Sequence, residues 1–207
     1  MALLNDIKLI FSALIIFQCL FFTIYLLSQA GARTRRNAWL VGFLLARMAT
    51  ATAGFLDHFL ELRGVILASA PWVLFLPTPF YFLAVPLLYF YILSLTREKF
   101  AFRVRHLLHL VPFAAACLLV AWRLGSTPAV QLSAAYEQEG RVSALASTLF
   151  TIVLDAQFIG YAIAALFEVR SYRRRIMDLY SAVEKINLSW LGNLLIGFIV
   201  WQTLGPE

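Results

Sequence analysis

Six runs of about twenty predominantly apolar residues, near positions 7–30, 38–59, 72–95, 107–122, 145–167 and 188–204, take up most of this 207-residue sequence. At 1.5 Å of rise per residue, about twenty residues of α-helix cross the roughly 30 Å hydrocarbon core of a bilayer. The composition agrees, with 62% apolar and 14% charged residues. A soluble domain averages about 45–50% and about 25% respectively. The expected fold is all-α: a polytopic transmembrane helix bundle of about six spans, forming one membrane domain over 1–207. This excludes a secreted, cytosolic or disordered chain, and leaves no room for a soluble catalytic or DNA-binding domain. No cofactor is expected.

The first run is read as a retained helix. Asp6 cancels Lys8, so a signal peptide's basic start is missing, and the run is longer than its apolar region. The third run carries Pro71, Pro77, Pro79 and Pro86, which predicts a kink near Pro77 and Pro79. Neighbouring helices can satisfy the carbonyls that proline frees. Cys19 and Cys117 both lie inside apolar runs, so neither a disulfide framework nor a zinc spacing is expected.

The basic residues set a direction. Of the 17 lysines and arginines, twelve fall in the alternate loops 31–37, 96–106 and 168–187. Lys8, Arg63, Arg123 and Arg141 fall on the other side, and Arg47 lies within a span. The positive-inside rule then puts the N-terminus outside and the three basic loops in the cytoplasm. In 170–187, Ile176, Leu179, Tyr180, Val183 and Ile186 recur at helical spacing. That pattern fits a helix lying on the inner headgroups, or simply a cytoplasmic extension of the fifth span.

Arg47 and Asp155 are the leading site candidates. Both fall near the midplane, where a charge costs at least a few kcal/mol and seeks a partner inside the bundle. They are expected to pair, with Gln157 and Gln18 as lesser neighbours. A buried structural pair is the commoner outcome; a ligand or switch site is the functional one. Asp57, His58 and Glu61 are weaker candidates on the outer side. His58 and Glu61, at i and i+3, share a face; two or three such ligands could hold a metal, or His58 could sense pH. An ordinary polar boundary of the span is the commoner reading. His106 and His109 at the start of the fourth span read as interfacial histidines. The aromatic clusters Pro79–Phe82 and Leu88–Tyr91 read first as packing, and second as the lining of an outward-facing pocket. The motifs G-x-x-x-x-G-K-[ST], H-E-x-x-H and G-x-S-x-G are absent, and no enzyme is expected.

Two stretches carry a family resemblance. One is Pro86-Leu87-Leu88-Tyr89-Phe90-Tyr91 through Arg97 to His106-Leu107-Leu108-His109-Leu110-Val111-Pro112. The other runs from Tyr172-Arg173-Arg174-Arg175 through Tyr180-Ser181 to Glu184-Lys185-Ile186-Asn187-Leu188-Ser189-Trp190-Leu191. Together they resemble the N-terminal multi-span sensor region of bacterial membrane-bound AraC/XylS-type transcriptional regulators. Similar regions precede histidine-kinase and LytTR-type output domains. The resemblance implies about seven spans followed by a cytoplasmic helix-turn-helix effector, so this sequence reads as cut before the DNA-binding domain. It implies inward coupling through Arg173, Tyr180, Glu184, Asn187 and Trp190. The expected partners are the lipid bilayer and a small-molecule or envelope stimulus, with a homodimer left open and DNA reached only through an effector. The alternatives are the membrane part of a sensor histidine kinase, or a small transporter.

Overall fold

A computed structural model describes residues 2–28, 34–97, 100–128, 131–134, 136 and 144–179. The described chain is helical and has no strand. In chain order it forms α1 (Ala2–Ser28), α2 (Thr34–His58), α3 (Leu60–Ser69), a 3-10 turn at Pro71–Phe75, α4 (Phe80–Thr96), a 3-10 segment at Val104–Leu110, α5 (Val111–Ser126) and α6 (Ala144–Leu179). Five stretches are long and apolar enough to cross a membrane: Asn5–Ser28, Asn37–His58, Pro71–Thr96, Val104–Ser126 and Thr148–Tyr172. They match the first five runs of the sequence to within a few residues. The sixth run, 188–204, lies outside the described residues.

α1 packs against α2, α2 against α4, and α4 against both α5 and α6. α4 is therefore the central helix. Its buried residues (Phe82, Ala84, Pro86, Phe90, Ile92, Leu93, Ser94 and Thr96) point in every direction around the axis, as a helix covered on all sides requires. α1 and α2 run antiparallel, with Asn5 against His58 at one end. Gly54 lies at their contact, where a Cβ would stand 3.2 Å from Ser12 Oγ. Small residues of this kind let helix backbones approach within a bilayer.

The third run is interrupted where its prolines predict. The 3-10 turn ends at Phe75, a turn follows, and Pro79 caps the start of α4. Pro112 sits in the first turn of α5, where its missing N–H has no helical acceptor to serve.

Two features add to the sequence reading. The stretch after the second span is the ten-residue helix α3, with no buried residue, and not a plain loop. It is set off from α2 at Phe59, whose φ of −89° and ψ of 83° leave the helical region. In addition, α6 is a single helix of 36 residues, or about 54 Å at 1.5 Å per residue. It continues past the fifth candidate span, so through Leu179 the basic segment extends that span.

Candidate functional site

α6 reaches its neighbours through one stripe of residues: Gln157, Tyr161, Ala165, Glu168 and Arg175. Steps of three, four and seven return to the same side of a helix, so the stripe faces α4 and the start of α5. Gln157 marks its far end. Pro86 has no N–H to donate to the Phe82 carbonyl one turn earlier, and Gln157 Nε2 donates to that oxygen at 3.0 Å. Pro86 is among the largest fully buried side chains, so water has no access to the gap it makes. Gln157 Oε1 is buried without a partner among the described residues.

Further along, the Tyr161 hydroxyl meets His109 Nδ1 at 2.7 Å, and its ring stands edge-on to Tyr89. Ala165 packs with Ile92 and Val169 in the buried core between α4 and α6. Glu168 then closes the stripe at the end of α4. Arg97 donates to it twice, from Nε at 3.0 Å and Nη2 at 2.7 Å, the two-point geometry that strengthens an arginine–carboxylate pair. Thr96 Oγ1 donates to the same carboxylate at 3.3 Å. Arg175, two turns on, lies 3.6 Å from Glu168 Oε1 and reaches the Thr96 carbonyl at 3.5 Å. The Glu168 side chain is 12% exposed, against 47% for Arg97 and 53% for Arg175. One shielded carboxylate thus holds two arginines that face outward. Its hydrogen bond raises the Arg97 guanidinium above its ordinary range.

Beside this junction lies an aromatic cluster centred on Phe90, which is fully buried. Trp39 of α2, Phe100, Phe102, His106 and His109 surround it at ring-centroid distances of 5.1–6.4 Å. His106 is buried too, and its Nδ1 accepts the Arg103 backbone N–H at 2.9 Å. The first of the two resemblance stretches therefore folds into one unit, with its Leu88–Tyr91 and His106–His109 parts in contact. These aromatic residues pack inside the bundle.

The opposite end holds a second polar cluster. The Tyr136 hydroxyl donates to the Asp57 carboxylate, and the Arg63 guanidinium lies 5.5 Å from the centre of the Tyr136 ring. Phe75 meets that ring edge-on. Burial, reinforced by the bond to Asp57, holds the Tyr136 proton above the ordinary tyrosine range. His58 Nδ1 lies 2.9 Å from Asn5 Oδ1, which can only accept, so this nitrogen carries the proton. Asn5 Nδ2 donates in turn to the His58 carbonyl at 2.9 Å.

The residues singled out in the sequence are therefore differently placed. Asp57 and His58 belong to the second cluster. Glu61 is exposed on α3, and the break at Phe59 removes the single helix on which it would share a face with His58. No group of three or more metal-ligating side chains forms among the described residues. Arg47 is half-buried on α2, within electrostatic reach of Cys19 and Tyr81. Asp155 is half-buried on α6, two residues before Gln157. α4 packs on both of the helices that carry this pair. Arg173 lies on the extension of α6; Tyr180, Glu184, Asn187 and Trp190 lie outside the described residues. Glu168 and Tyr161 escaped the sequence reading. The signal for Glu168 was a lone acid before a run of arginines, three and seven residues after the stripe positions Ala165 and Tyr161. The chain matches no protein-family model, no curated protein and no solved structure.

Proposed function

We propose that this chain is the membrane-embedded sensory module of a bacterial AraC-type transcriptional regulator, lying in the inner membrane as about six spans with its N-terminus outside. The observation that carries the reading is the α6 stripe. It ties the fifth candidate span to the central helix at Gln157, Tyr161 and Glu168, and the same helix runs on past that span to Leu179. A stimulus that favours one packing of α4 over another shifts α6 with it, and the extension carries that shift inward. Such a shift requires the stimulus to bind one packing more tightly than the other. Arg47 and Asp155, on helices that flank α4, are the candidate points of action. The gathering of twelve of the 17 lysines and arginines in alternate loops supports a cytoplasmic placement of those loops.

The reading is tested in the protein expressed from its own locus. Its intact mass, compared with 23.4 kDa, reports whether an effector accompanies these residues. Asp155→Asn and Glu168→Gln are expected to change regulated reporter output while leaving membrane insertion intact. Unchanged output in both variants, or a mass of 23.4 kDa, defeats the regulator reading. Cysteine labelling tests the topology. Ser69→Cys should react with an impermeant maleimide from outside, and Arg174→Cys only after permeabilisation.

The interrupted third span favours a second reading, a small transporter, because broken helices line many solute sites. Solute uptake by the reconstituted chain would support it over the sensor.

A further inference from the structure

The segment between α4 and α5 brings two chemistries together within seven residues. Phe102, Val104, Leu107 and Leu108 are 42%, 81%, 49% and 72% exposed. Arg103 and Arg105 alternate with the first two and are also exposed. Arg97, at the end of α4, is exposed as well, and its carbonyl accepts the Phe100 N–H at 3.3 Å. Among the described residues, Glu168 is the acid bound at this end, and its two contacts to arginines leave it outnumbered.

We propose that this segment is a binding site for an anionic phospholipid, with Arg103 and Arg105 on the phosphate and Val104, Leu107 and Leu108 against the acyl chains. Charge complementarity selects the occupant. Arginine forks match a phosphate diester, and a zwitterionic headgroup brings an ammonium that the same arginines repel. The apolar neighbours favour a lipid over a free phosphate, because only a lipid supplies chains to cover them. The buried ring cluster beneath gives the site a fixed floor: Trp39 lies 5.3 Å from Phe102, and Phe102 lies 5.5 Å from His106. The proposal stands independently of the sensory reading.

Trp39 is a built-in reporter. The full chain is reconstituted in phosphatidylcholine vesicles containing increasing fractions of brominated phosphatidylglycerol or brominated phosphatidylcholine. The Trp39 contribution is taken as the difference in quenching between the native protein and Trp39→Phe. Half-quenching is expected at a several-fold lower fraction of phosphatidylglycerol. Each arginine near an anionic surface is worth about fivefold in affinity, so Arg103→Gln with Arg105→Gln removes a preference of up to about 30-fold. The Arg103→Lys, Arg105→Lys pair keeps the charge but not the fork, and retains only part of it. The His106 contact uses the Arg103 backbone N–H, which every variant retains, and unchanged helical circular dichroism verifies the fold. Equal quenching by both lipids overturns the proposal, as does a preference that survives the glutamine pair. Loss of the preference on adding inorganic phosphate shows a free-anion site and also overturns it.

Discussion

The bond from Gln157 to the Phe82 carbonyl exists because Pro86 lacks an N–H, and this gives a testable coupling between two helices. Gln157→Leu removes the donor and strands the carbonyl in an apolar interior. An orphaned buried carbonyl costs about 1–3 kcal/mol in a protein core, and side-chain bonds within bilayers have measured at about 0.6–2 kcal/mol. A cost of about 1 kcal/mol is therefore expected, close to fivefold in the unfolding equilibrium. Pro86→Ala restores the helical N–H, so the Phe82 carbonyl gains its ordinary partner one turn on. That substitution also leaves a cavity of about two methylenes in a fully buried site, about 1.5 kcal/mol by transfer alone. The cavity term appears in both Pro86→Ala proteins and cancels in a double-mutant cycle. In the Pro86→Ala background Gln157→Leu should cost nothing, or even stabilise, because it also removes the unpartnered Oε1. Unfolding in mixed micelles, followed by tryptophan fluorescence, measures all four proteins. A coupling energy below about 0.3 kcal/mol, within the scatter of independent sites, would refute the reasoning.

Three further outcomes follow from the same contacts. Tyr136 keeps its proton to higher pH when folded than when unfolded, so its contribution is complete below about pH 10 and is lost as pH rises further. Thermal unfolding of the native protein should thus weaken above pH 10 more steeply than that of Tyr136→Phe, and superimposed profiles would dismiss the effect. Glu168→Gln releases Arg97 and Arg175 from their shared carboxylate. Hydrogen exchange over the extension of α6 should rise about two- to fivefold, the range of a partly exposed ion pair, and unchanged protection would show the junction to be idle. At Gly54, alanine meets only the rotatable Ser12 hydroxyl and should be tolerated. Leucine overfills the α1–α2 contact at about 1–3 kcal/mol, read as a lower midpoint in the same micelle assay.

The helical spans were legible because length and apolarity are local properties of the chain. So was the break around Pro77 and Pro79, since proline acts on its own turn and the one before. The break at Phe59 left no such mark: phenylalanine has no special backbone preference, yet the chain leaves the helical region there before α3 begins. The candidate site was legible only in part. Intramembrane charge drew notice to Arg47 and Asp155, whereas Glu168 looked like one acid in a basic stretch.

The sequence by itself determined an all-helical chain with spans long enough for a bilayer, a strong bias of basic residues to alternate loops, and a carbonyl freed by Pro86. Only the tertiary structure decided that Gln157 answers that carbonyl, that Tyr161 meets His109, and that Glu168 gathers Arg97 and Arg175. These partners are up to 75 residues apart along the chain. Hydrophobic periodicity sets which residues a helix buries. The rotation and register of each helix against its neighbours set which of those residues meet, and that depends on close packing across the whole bundle.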